Sequence, residues 1–195
     1  MPPTYLCGRD VDESGRHGLS CRGAEGRHPR HNECNQIIKE ALGSAHISAR
    51  REPKNLSRND GKRPDGIVTT AWSKGKSLVW DVTCTDTLAP SHIDQTSQEA
   101  GRAALKAEKG KLTKYDCLAA KFIVMPIAFG TLGPMAPMGL QFIKEIGAKI
   151  AKITGDKRST SHLFQRLGIS TQRGNASSVE GTVRDLKELE ELYYL

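Results

Sequence analysis

The chain has 195 residues, of which 37% are hydrophobic and only 5% aromatic, and it carries a formal net charge of +7. It contains no run of about 18 apolar residues, so nothing in it reads as a membrane span, and its opening MPPTYLCGRD lacks the basic-then-apolar pattern of a secretory signal. That length and composition fit one thin-cored domain with at most a small appendage. Residues 1–64 hold 12 basic and 8 acidic groups, residues 65–179 hold 15 and 9, and residues 180–195 hold 2 and 5. A basic body with a pI near 9.2 suits a polyanionic partner, most often nucleic acid: DNA, or else RNA. Five scattered cysteines argue against a disulfide framework. Reduced thiols fit a nuclear or cytoplasmic protein better than a secreted one.

Residues 1–32 are glycine-rich with almost no apolar periodicity, too little to bury a core. This segment is either a loose basic arm or is held by something else. The spacing of Ile37, Ile38, Ala41 and Leu42, with an asparagine start and Gly43 as a stop, predicts a helix over 33–42. A short strand over 46–50 follows, then strands over 66–70 and 77–84 joined by the turn signal Ser73-Lys74-Gly75-Lys76. In the later strand Leu78, Trp80 and Val82 share one face, and Val79, Asp81 and Thr83 the other.

Residues 95–120 read as one long charged helix, weakened at Gly110. Residues 121–128 read as a buried strand, 133–139 as a loop and 140–153 as an amphipathic helix, with a further helix starting near Ser159. In the acidic tail over 183–193, Leu186, Leu189 and Tyr193 form one stripe, suited to a capping or partner-binding helix. The order predicts an α/β domain with a small mixed sheet over 33–182, between the arm at 1–32 and the tail at 183–195.

The sharpest feature is Arg63-Pro64-Asp65-Gly66, followed by Trp80-Asp81-Val82-Thr83. With residues 71–75 as a hairpin loop, Thr70 faces Lys76 and Asp65 falls opposite Asp81. Like charges at paired strand positions repel. A divalent cation relieves this, and Mg²⁺ is the usual ion for an all-oxygen site. Such an ion polarises a phosphodiester and activates water. The alternative is a surface hairpin with two solvated aspartates. Lys111 and Lys114 lie one turn apart on the following helix, able to orient a nucleophile or simply to be solvated. Glu52 stands just ahead of the hairpin.

The set Arg-Pro-Asp, Trp-Asp-Val-Thr and Lys111-x-x-Lys114-Tyr115 resembles the restriction-like endonuclease region of non-LTR retrotransposon polyproteins, a branch of the PD-(D/E)xK nucleases. Cys7-Gly8, His17-Gly18-Leu19-Ser20-Cys21, Arg30-His31-Asn32, Glu52-Pro53, Asp60-Gly61-Lys62-Arg63 and Gln172-Arg173-Gly174-Asn175-Ala176 extend the resemblance over nearly all of residues 5–183. It implies a restriction-endonuclease-like core that nicks DNA with Mg²⁺ or Mn²⁺. Asp65 and Asp81 would be the metal-binding carboxylates, Lys111 or Lys114 the lysine moved onto a helix because Thr83 occupies its usual place, and Glu52 an accessory acid.

The arm would resemble the zinc knuckle preceding that endonuclease, with Cys7, His17 and Cys21 plus His28 or His31 as candidate Zn²⁺ ligands, since Tyr5 stands where the resemblance expects another cysteine. The fourth strand is followed by Gly130-Thr131-Leu132-Gly133 where an acid is expected. The alternative function is a non-catalytic nucleic-acid-binding relic of the same domain.

Overall fold

The structure, a computed structural model, describes residues 4–11, 13–21, 23–24, 26–56 and 63–181. The tail expected at 183–193, and Asp60-Gly61-Lys62, lie outside the described residues. A hairpin bridged by Thr4 and Asp10 and a 3₁₀ turn, Arg16–Leu19, lead into helix α1, Arg27–Ser44. Strand β1 (Ala49–Arg51), a 3₁₀ turn, β2 (Gly66–Val68) and β3 (Leu78–Thr85) follow. Then come three helices, α2 (Ile93–Thr96), α3 (Arg102–Lys114) and α4 (Asp116–Ala119), before β4 (Ile123–Gly130). Helices α5 (Pro137–Thr154) and α6 (Ser159–Glu180) complete the described fold.

The four strands form one mixed sheet in the order β1-β2-β3-β4. The first three run antiparallel, and β4 lies parallel to β3. A parallel neighbour requires a crossover, and the helices between β3 and β4 supply it. The expected mixed α/β class with a small sheet is what the chain adopts. Among the described residues, no helix is long and apolar enough to cross a membrane.

The sheet has unequal covers. Ile37, Ile38 and Leu42 of α1, Phe142, Ile143 and Ile146 of α5, and Leu163 and Leu167 of α6 pack on Val68, Leu78, Trp80, Val82, Ile127 and Phe129. Each such aliphatic or aromatic side chain contributes about 1.5–3 kcal/mol when fully buried. Opposite, Ala104 of α3 meets Ala128 and Ala136. Small residues there bring α3, with its lysines, close against the sheet.

The hairpin between β2 and β3 keeps the expected register. Gly66 pairs with Trp80 and Ile67 with Val79, the register predicted for the hairpin; the pairing stops there, with Asp65 just outside β2. The turn itself is tighter than the expected five-residue loop. Ser73 bridges Lys76, and both Lys74 (φ 49°) and Gly75 (φ 73°) adopt the left-handed backbone that two-residue hairpin turns demand.

Three boundaries differ for identifiable reasons. Helix α1 begins at Arg27 rather than 33, because Pro29 is tolerated in a first turn and Gly26 sits against α6, where a Cβ would come within 2.4 Å of the Gly174 carbonyl oxygen. The arm therefore ends near Gly26, not at 32. The single helix expected over 95–120 is three, broken at Gly101 (φ 85°) and Tyr115, whereas Gly110 stays inside α3. Helix α5 starts three residues early, on Pro137, whose missing N–H costs nothing at the first helical position.

Candidate active site and candidate metal group

Strand β3 positions Asp81 between β2 and β4, with the α3 side of the sheet in front of it. The residue is 4% exposed. Its Oδ1 accepts the Tyr115 hydroxyl at 2.6 Å, and its Oδ2 pairs with Lys111 Nζ. Lys114 Nζ lies 3.9 Å from Oδ1 and 2.8 Å from the Tyr115 hydroxyl. The Tyr115 oxygen is also 2.9 Å from the Arg63 carbonyl, tying α3 to the segment that carries Asp65. Both predicted lysines therefore reach Asp81, with Lys111 in direct contact.

Asp65 follows a different logic. Strand β2 begins at Gly66, and beyond it Asp65 Oδ2 takes up the Val82 N–H at 2.7 Å. The same oxygen accepts from Asn35 Nδ2 at 3.2 Å and contacts His31 Nε2 at 3.0 Å, both on α1. The two carboxylates thus meet the middle of β3 from its α1 and α3 sides, Asp65 with His31 and Asp81 with Lys111. Burial alone would raise the Asp65 pKa. The His31 hydrogen bond and charge, helped by the Val82 N–H and the Asn35 amide, outweigh burial and hold it below the usual carboxylate value. His31 responds in reverse: the hydrogen bond to Asp65 raises it, against burial, and the fields of Asp65, Asp81 and Lys111 all reach it.

Glycine at 66 is what lets Trp80 lie across β2. A Cβ there would stand 2.0 Å from the Trp80 indole, which lies across the strand. The indole N–H donates to Asn35 Oδ1 at 2.9 Å, so the amide must turn its NH₂ toward Asp65. Glu52 lies further out. Its carboxylate pairs with Arg63, and its backbone N–H donates to the Asp65 carbonyl at 2.7 Å.

The arm gathers a second cluster. Cys7 Sγ, His17 Nε2 and Cys21 Sγ offer ligand atoms that all lie within 4.8 Å of one another, and Cys7 Sγ is 3.0 Å from His17 Nε2. Gly8 (φ 82°) turns the chain at Cys7, and the 3₁₀ turn presents His17. The Arg9 backbone N–H, aided by Cys21 and the Arg9 charge, lowers the Cys7 pKa against burial, favouring the thiolate that binds metal. This Cys₂His group could hold a metal such as zinc. His28 and His31, the other expected ligands, are not in it. Both sit on α1, His28 exposed and His31 at Asp65. Tyr5 is buried against His17, ring centroids 4.9 Å apart, and packs with Cys21 and Ala24.

The Gln172–Ala176 motif is a packing device. Arg30, 4% exposed, passes over Gly174, where a Cβ would come within 2.4 Å of it, and donates to Asn175 Oδ1 at 2.5 Å. Asn175 in turn donates to the Thr131 carbonyl at 2.7 Å, fixing the turn after β4.

Sequence reasoning set His31 among the zinc candidates and passed over Asn35. The available signal was Asn35 four residues after His31, on the otherwise apolar stripe of α1. No protein-family model matches the chain, and no curated protein matches it.

Proposed function

We propose that this protein is a metal-dependent DNA endonuclease with a restriction-endonuclease-like core, acting through Asp65, Asp81 and Lys111. The observation that carries the reading is that the Asp65 carboxylate is bonded to the Val82 N–H, on the residue after Asp81, with Lys111 on Asp81. Carboxylate oxygens are the donors Mg²⁺ or Mn²⁺ prefers, and the Val82 N–H ties Asp65 to the residue that follows Asp81. Bound there, the ion would supply Lewis acidity toward a phosphodiester oxygen and a more acidic water.

The chain's own groups do the rest. Asp65 and Asp81 would hold the ion. Lys111, at Asp81, is placed to orient the attacking water or to stabilise the charge that grows on phosphorus-bound oxygen. Lys114 and Tyr115 keep Asp81 in place from α3. Glu52, on Arg63, acts as an accessory group outside the pair. The net positive charge provides the sequence-independent attraction to a polyanion.

A second reading is a DNA- or RNA-binding relic without cleavage. It is favoured by one observation: His31 and Lys111 already compensate the two carboxylates from within the chain. Relaxation of supercoiled plasmid by purified protein separates the two. Nicking in Mg²⁺ or Mn²⁺ that stops with chelator supports the nuclease. Salt-sensitive binding without nicking supports the relic.

A further inference from the structure

Asn35 has no hydrogen bond to the Asp81 carboxylate or to the lysines of α3, yet its amide is tied on both sides next to Asp65. It is 1% exposed. Its Oδ1 takes the Trp80 indole N–H at 2.9 Å, and its Nδ2 donates to Asp65 Oδ2 at 3.2 Å and to the His31 carbonyl at 3.1 Å. Trp80 is itself fully buried and laid over Gly66, so the indole cannot turn away. An indole N–H only donates, which fixes the amide's orientation and obliges its NH₂ to face the carboxylate. Asp65 Oδ2 is thereby held by three groups, Asn35, the Val82 N–H and His31. Among the described residues, no hydrogen bond reaches Oδ1.

We infer that Asn35 is a positioning residue that, anchored by Trp80, locks Asp65 Oδ2 and presents Oδ1 as the single oxygen offered to a divalent cation. This deepens the nuclease reading and rests on it. A carboxylate held in one rotamer binds a cation without losing that freedom at the moment of binding, and hydrogen-bonding partners behind a ligand typically set about 10- to 100-fold in metal affinity. The consequence falls on metal affinity rather than on the chemical step, because Asn35 touches neither substrate nor cation.

The test is a Mn²⁺ titration followed by electron paramagnetic resonance, normalised to folded protein, on wild type, Asp65→Ala, Asn35→Leu, Asn35→Asp and Trp80→Phe. Asn35→Leu is expected to weaken Mn²⁺ binding by about 10- to 100-fold while plasmid nicking at saturating metal stays within about threefold of wild type. Trp80→Phe, which leaves the amide but removes its anchor, moves the midpoint the same way by less. Asn35→Asp keeps an acceptor for the indole but sets a second carboxylate against Asp65 Oδ2 in place of the donor, so, where it folds, its metal midpoint is expected to leave that of wild type by at least as much as Trp80→Phe. Should Asn35→Leu fail to fold, the other two variants carry the comparison. Unchanged midpoints in the folded variants would overturn the positioning role and leave the nuclease reading intact. Wild-type binding that Asp65→Ala does not reduce would instead overturn Asp65 as a ligand, and with it the reading beneath.

Discussion

Replacing Gly66 with alanine tests how tightly the candidate site is built into the core. The added Cβ would lie 2.0, 2.2 and 2.4 Å from three indole carbons of Trp80, far inside contact distance. Trp80 is fully buried and bound to Asn35, so it has no free rotamer to retreat into. Overpacking of this kind costs about 1–3 kcal/mol. Displacing the indole from Asn35 adds about 1–3 kcal/mol for a buried polar group left unpaired. A total near 3 kcal/mol corresponds to a melting point lower by about 6–12 °C for a chain of this size. Urea unfolding followed by tryptophan fluorescence reads both the loss and the changed indole environment. Gly43→Ala is the control, because its Cβ meets nothing within 4 Å on the exposed side of α1. It should be neutral or stabilising by up to about 1 kcal/mol. Equal stability of Gly66→Ala and wild type, with an unshifted emission maximum, would refute the packing argument.

Four further outcomes are expected. Lys111→Met should cost about 2 kcal/mol, since it strips the closest cation from the buried Asp81, and Lys111→Met with Asp81→Asn should recover part of it in a double-mutant cycle. Gly174→Ala should lose about 1–3 kcal/mol by pushing a Cβ into Arg30, read as a lower denaturation midpoint. The His31–Asp65 contact makes stability pH-dependent with a definite sign. His31 is raised above its ordinary 6.5, so its contribution is complete below that pH and is lost as pH rises through the folded value. Asp65 is lowered from 3.8, so its contribution is present above that pH and is lost as pH falls through the folded value. Urea midpoints of wild type should therefore fall above about pH 6.5, and His31→Gln should remove that part of the slope. Finally, purified protein should carry about one zinc per chain by elemental analysis, with Cys7→Ser and Cys21→Ser each releasing it while His28→Ala does not.

Local patterning made much of this molecule legible. The alternation in Leu78–Val82 and the Ser73–Lys76 turn signal were enough to set the β2–β3 register. The apolar stripes of α1 and α5 were visible because both helices lay one face on the core. What stayed hidden depends on distant partners. Arg27–Asn32 carries no apolar periodicity, and its helix is held by contact with Gly174 and Asn175, nearly 150 residues away. The helix expected over 95–120 is interrupted at Gly101, whose positive φ the sequence does not announce. His31 could be read as a zinc ligand because histidine serves either chemistry. Only the fold decides that it faces Asp65 while Cys7, His17 and Cys21 close on each other.

The most direct measurement is the Mg²⁺-dependent nicking rate of supercoiled plasmid for wild type, Asp65→Ala, Asp81→Ala and the double variant, with DNA binding followed in parallel. If the two aspartates hold one cation, each single variant should lose nearly all activity and the double variant should lose no more, because groups acting as a unit are strongly non-additive. DNA binding should persist in all four. Wild-type nicking that survives in either single variant, or losses that simply multiply in the double variant, would contradict a shared metal site at Asp65 and Asp81.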